Sequence, residues 1–154
     1  MPKKNVKVLL IALSSPILIG IYKNDRLIEK VISQEKSSEV LPVLYKEILE
    51  RYEVESLYYA QGPGSFMAIK VAYIFLKSLS VLKKIPFYAT DAFAFNENQP
   101  IKAIGKLYFV KINEDIVTQK FDSPLEVKFT LPQSLKTIKF SSDTAPLYKI
   151  GAVG

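Results

Sequence analysis

The chain contains no histidine and no cysteine in its 154 residues. Without an imidazole or a thiolate there is no Ser–His–Asp triad, no Cys–His nucleophile, no histidine-ligated zinc and no disulfide. Acid–base chemistry would fall to the 15 carboxylates, the lysines or the tyrosines. The lack of cysteine fits a reducing cytoplasm. No apolar run reaches the roughly 20 residues of a transmembrane helix, so no membrane partner is expected. Lys3-Lys4 followed by Val8-Leu9-Leu10-Ile11-Ala12-Leu13 imitates a secretory signal. That stretch stops after about six residues, at Ser14-Ser15-Pro16, short of the usual h-region. Apolar residues resume at Ile17, which reads as two buried strands joined by a tight turn. A cytoplasmic location is the expectation.

Dense charge is also missing. The net charge is +6 and the isoelectric point about 9.3, yet the only lysine pairs are Lys3-Lys4 and Lys83-Lys84. Scattered lysines of this kind are solvated surface charges, with weak nonspecific attraction for RNA as a by-product. There is no internal repeat or low-complexity segment. What is present is a composition 49% hydrophobic and 12% aromatic, that of one globular domain.

Along the chain, residues 6–13, 17–22 and 27–33 read as three consecutive strands, with turns at Ser14-Ser15-Pro16 and Lys23-Asn24-Asp25-Arg26. Ser37 and Ser38 offer N-caps to a helix reaching about Tyr52, with Leu41, Leu44, Tyr45, Ile48 and Tyr52 on one face. A strand over 56–61, a helix over 66–84 and a strand over 87–89 complete a β-β-β-α-β-α-β order, a mixed α/β sheet. Beyond Ile101 the pattern is of short strands, at 102–104, 107–112 and 116–121. Residues 127–131 read equally as strand or loop.

Between the fourth strand and the second helix lies Gln61-Gly62-Pro63-Gly64-Ser65-Phe66. The glycines reach backbone angles closed to other residues, Pro63 stiffens the turn and Ser65 is a ready N-cap. The plain reading is a turn; the functional one is a helix N-terminus facing an anion. A dinucleotide fingerprint would need a third glycine where Met67 stands, and a nucleophile elbow would need glycines in place of Pro63 and Met67. Neither motif is present.

In the helix over 66–84 a core stripe can be drawn through Ala68, Val71, Ala72, Phe75, Leu79 and Leu82. Phe66, Met67, Tyr73, Ile74 and Val81 fall outside it, mixed with Lys70 and Lys77. A helix apolar nearly all round is covered on both sides. The second cover is either the helix starting near Ser38 or a partner chain.

Residues 59–71, YAQGPGSFMAIKV, resemble the stretch G-x-GPGSFTGLRIG of the TsaB (YeaZ) proteins. Ile85-Pro86-Phe87-Tyr88-Ala89-Thr90-Asp91-Ala92-Phe93 is similar to that family's I-P-hydrophobic-x-hydrophobic-S-S-L. Ser38-Glu39-Val40-Leu41-Pro42-Val43-Leu44 resembles its H-S-E-x-L-L-P-x-I helix start without the histidine, and Pro146-Leu147-Tyr148-Lys149 loosely resembles its P-x-Y-L-R ending. The resemblance covers about residues 6–95. It implies an actin/Hsp70-like (ASKHA) first lobe over 1–95 and a reduced second lobe over 96–154. It also implies a non-catalytic subunit in tRNA N6-threonylcarbamoyladenosine synthesis. Such a subunit pairs with the paralogous TsaD-type ATPase and works with a TsaE-type ATPase. ATP and metal would sit in the TsaD-type partner, tRNA would be met indirectly, and a homodimer is the alternative pairing when the chain is alone.

On this resemblance the partner-binding residues are Phe66, Met67, Lys70, Tyr73, Ile74 and Lys77. Met67-Ala68-Ile69-Lys70 departs from the family's T-G-L-R. An active actin-like protein holds phosphates and a metal carboxylate at its first hairpin. Here that hairpin is Leu13-Ser14-Ser15-Pro16, with no glycine and no acid, so neither catalytic nor metal-binding residues are expected. The older glycoprotease label of the superfamily would need a metal site that this chain cannot build from imidazoles. Two other classes stand beside this reading. A small actin-like ATPase or kinase would show magnesium-dependent ATP hydrolysis; a basic RNA-binding module would show salt-sensitive tRNA affinity without a partner.

Overall fold

The computed structural model describes residues 2–147. Five strands form one mixed sheet: β1 (Lys4–Ile11), β2 (Ile17–Lys23), β3 (Arg26–Ser33), β4 (Tyr52–Ala60) and β5 (Phe87–Thr90). Their order is β3-β2-β1-β4-β5. β3, β2 and β1 are antiparallel neighbours, whereas β1, β4 and β5 run parallel. Helix α1 (Ser37–Arg51) leads into β4, and α2 (Phe66–Lys83) makes the crossover from β4 to β5, as a parallel pair requires. The β-β-β-α-β-α-β order expected from the sequence is the one found.

Alternation along β1 builds two separate cores. Val6, Val8 and Leu10 point to the face covered by the two helices. Leu9, Ile11 and Leu13 point to the other face, where Phe93, Phe95, Phe109 and Leu131 meet them. That second cover comes from the C-terminal half. A 3₁₀ turn (Ala92–Phe95) leads into an antiparallel sheet of β6 (Ile101–Lys102), β7 (Leu107–Ile112) and β8 (Asp115–Lys120). Residues 122–147 then return across the first sheet as extended chain. They are held by long-range bonds: Tyr22 Oη donates to the Pro132 carbonyl at 2.7 Å, and Ala89 and Ser141 exchange backbone bonds of 2.9 and 2.8 Å. A Cβ at Gly20 would stand 2.7 Å from the Tyr22 ring, so glycine is what lets that ring lie across the sheet.

Local rules explain the connections. Asn24 and Asp25 both take positive φ, 52° and 63°, the two-residue hairpin geometry that Asn and Asp tolerate. Asp25 also holds Lys7 at 2.8 Å. That hydrogen bond raises the Lys7 pKa, against an opposing effect of burial. Arg51, at the end of α1, forks onto Glu29 of β3 at 2.9 and 2.8 Å, with Tyr52 Oη a third donor at 2.7 Å. The Arg51 bond, ahead of that from Tyr52, holds the Glu29 carboxyl below its ordinary range.

Several expectations are corrected. Strand β4 begins at Tyr52, four residues before the expected Ser56, because Val54 is buried between exposed Glu53 and Glu55 and alternation outweighs the helical pattern. Tyr52 is therefore a strand residue, off the α1 face. β6 lies at Ile101–Lys102 and not at 102–104. Residues 127–131 form no regular strand, although Val127, Phe129 and Leu131 turn inward in alternation. Tyr148 and Lys149 of the family-like ending lie outside the described residues. Among the described residues no helix is long and apolar enough to cross a membrane.

The largest correction concerns α2. Its buried residues are Ile69, Ala72 and Leu76, with Tyr73, Phe75 and Leu79 packed beside the core. Leu82, drawn on the inward stripe, is 79% exposed. With apolar residues all round, the helix has no polar face to fix its rotation, so packing against the sheet and α1 decides it. Truncating Leu76 to Ala should leave a cavity and lower stability by about 2–5 kcal/mol. Leu82→Ala should change it by no more than about 0.5 kcal/mol. Urea unfolding of both variants separates this rotation from the one drawn through Leu82.

Candidate functional site

The first hairpin and the Gly62–Phe66 turn lie side by side at one end of the sheet. A Cβ on Gly64 would stand 3.3 Å from Leu13, so glycine allows the two turns to touch. Gly62 has φ +112°, and a Cβ there would meet Ile69 at 2.9 Å. Its carbonyl accepts from Ala92 N–H at 2.8 Å. Ser65 caps α2, its Oγ accepting from Ala68 N–H at 3.5 Å. The glycines and the serine are thus occupied by the turn itself.

Gln61 carries a role that the sequence did not disclose. Its backbone N–H donates to Thr90 and its carbonyl accepts from Leu147, at 2.9 and 2.7 Å. Its buried side-chain amide donates to the carbonyls of Asp143 and Ala145 at 3.1 and 2.8 Å. One residue therefore ties the end of β4, the end of β5 and the returning tail together. Tyr59, two residues earlier, donates its hydroxyl to the Thr144 carbonyl. A buried polar side chain following an aromatic strand was the available signal, because such a group must find partners.

A cleft of about 550 Å³ opens between the hairpin, the start of α2 and the second sheet. Ser14, Ser15 and Ser65 stand on its wall, and no carboxylate lines it. The first acidic residue of the chain, Asp25, sits in the turn at the far end of β2 and is paired with Lys7. Asp91 is spent on Lys111 at 2.6 Å and on capping Phe93 N–H at 3.0 Å. Among the described residues no three His, Cys, Asp or Glu side chains converge on a common point.

The outward side of α2 is the other feature. Met67, Ile74 and Val81, seven residues apart, are 61%, 52% and 66% exposed. Lys70 and Lys77 are exposed along one flank of this strip. α1 covers a different flank, where Tyr45 meets Phe75 edge-on at 5.2 Å. Burial pushes the Tyr45 hydroxyl's pKa well up. Of the six residues expected on a partner face, Met67, Lys70, Ile74 and Lys77 share this surface. Tyr73 does not: its ring packs 6.3 Å from those of Tyr59 and Phe87. Phe66 lines the cleft beside the hairpin.

With neither a carboxylate nor a glycine at the hairpin, Mg-ATP should bind no better than roughly millimolar, about −4 kcal/mol. Calorimetric titration checks this, and micromolar affinity with turnover would contradict it.

No protein-family model and no curated protein matches the chain. Solved structures do. YeaZ from Pseudomonas aeruginosa superposes with a TM-score of 0.57 at 12% identity, over 76% of this chain and 65% of that one. An uncharacterized protein with similarity to peptidase YeaZ from Pseudomonas aeruginosa superposes with a TM-score of 0.61 at 11% identity, over 79% and 71%. The chain thus spans just under two thirds of the length of the first of these. The five-stranded mixed sheet with its two helices is the fold of YeaZ, the family whose motifs this sequence resembles.

Proposed function

We propose that this chain is a TsaB-type scaffold subunit, non-catalytic itself, that pairs with a TsaD-type ATPase in the synthesis of tRNA threonylcarbamoyladenosine. The observation that carries the reading is the Met67–Ile74–Val81 strip, apolar, lysine-flanked and left uncovered by α1. A strip of this composition suits the core of a protein interface with a charged rim. Three further points support the reading: the YeaZ fold, the GPGSF turn and a first hairpin without metal-binding side chains. On this reading residues 1–95 form an actin-like lobe and 96–154 a reduced second lobe that serves to cover the sheet. ATP and metal belong to the partner, a TsaE-type ATPase joins the assembly, tRNA is reached through the partner, and the complex is cytoplasmic. When the chain is alone, the same strip pairs with a second copy.

The test is reconstitution with the TsaD-type and TsaE-type proteins of the same organism. Modification of tRNA should stop when this chain is omitted. Ile74→Asp would bury an unpaired charge in the interface and should weaken co-purification by on the order of a hundredfold, about 3 kcal/mol, with the thermal midpoint unchanged. Undiminished modification without the chain, or normal pairing by Ile74→Asp, would overturn the assignment.

A further inference from the structure

The cleft beside the first hairpin has a neighbour. A second cavity, of about 380 Å³, lies between the hairpin, the outer face of β2 and β3, and the extended chain around Phe129. Ser14, Ser15, Val127 and Phe129 line both cavities, so the two meet at the hairpin tip. Their walls are mainly apolar, Leu13, Phe66 and Phe109 in the larger and Leu18, Ile32 and Leu131 in the smaller. The charged residues lining them are all lysines: Lys102 in the larger, Lys30 and Lys128 in the smaller. Lys102 is engaged, donating to the Gly105 carbonyl and lying 4.9 Å from the centre of the Tyr108 ring. Lys30 and Lys128 are exposed and join none of the ion pairs among the described residues.

An apolar volume of this size with a few polar groups at one end is the ordinary form of a small-molecule site. Unmatched cations at that end select a ligand with one anionic group on a long apolar body. A nucleotide fits less well, since most of its polar surface would be set against apolar walls. We propose that the joined cavities bind a long-chain monocarboxylate. The carboxylate sits between Lys30 and Lys128, and the hydrocarbon passes Phe129 into the larger cavity against Leu13, Phe66 and Phe109. Each methylene withdrawn from water strengthens binding roughly fourfold, so affinity should climb steeply with chain length.

The experiment uses the purified full chain with palmitate, octanoate and hexadecanol as probes, read by displacement of a fluorescent fatty acid. Palmitate should bind saturably, one per chain, in the micromolar range. Octanoate should be at least a hundredfold weaker, and hexadecanol at least tenfold weaker. Lys30→Ala with Lys128→Ala, both on exposed positions, should bring palmitate down to the affinity of the alcohol. Ala103→Trp should obstruct the larger cavity and weaken palmitate, with the thermal midpoint reporting whether the fold is kept. Ile74→Asp should bind palmitate as the parent does. Several outcomes would overturn the proposal: no saturable binding below about 50 μM, many palmitates per chain, hexadecanol equal to palmitate, or affinity indifferent to the lysine pair. Loss of binding in Ile74→Asp would move the ligand to the α2 strip. Binding to anionic phospholipid vesicles without binding of monomeric palmitate would replace the free carboxylate by a membrane surface.

Discussion

The burial of β1 on both of its faces is the constraint from which the rest of the structure follows. Val8, Leu9 and Leu10 are all fully inaccessible, so neither side of the central strand can be left to water. Two helices suffice for one side. The other is closed by aromatic residues of the 3₁₀ turn and β7, with Ile69 from the start of α2 and the extended chain beyond them. This explains why an irregular segment is anchored at so many separate points. Tyr22, Tyr59 and Gln61 each hold a carbonyl 80 or more residues downstream, and each such bond is strengthened by its surroundings because an unmade one would strand a buried polar group.

The Gly62–Phe66 turn is where the two covers join. Its glycines permit close contact with Leu13 and Ile69, its serine starts α2, and its preceding glutamine clamps the tail. Residues that look arranged for a phosphate serve, in this chain, to make the turn and to start α2. The hairpin beside them offers hydroxyls and apolar walls without an acid. What the molecule presents outward is the uncovered strip of α2.

Much of this was legible in the sequence, for identifiable reasons. The element order was readable because Ser14-Ser15-Pro16, Asn24-Asp25 and Gly62-Pro63-Gly64 punctuate apolar runs of distinct period. The rotation of α2 was not, because Ile69, Leu76 and Leu82 are equally apolar and only the sheet distinguishes them. Placing Tyr73 outward followed from the same ambiguity; its ring instead fills the space between Tyr59 and Phe87. The course of residues 122–147 was illegible for another reason. Local propensity says little about a segment whose bonds run to distant strands, so Val127, Phe129 and Leu131 showed alternation without revealing what they pack on.

The most direct measurement of the central claim is site-specific photocrosslinking within the reconstituted pair. A benzoylphenylalanine in place of Met67, Ile74 or Val81 should capture the TsaD-type ATPase. The same probe in place of Ile112, exposed on the second sheet, should capture nothing. Capture from Ile112 with silence from all three α2 positions would contradict the account.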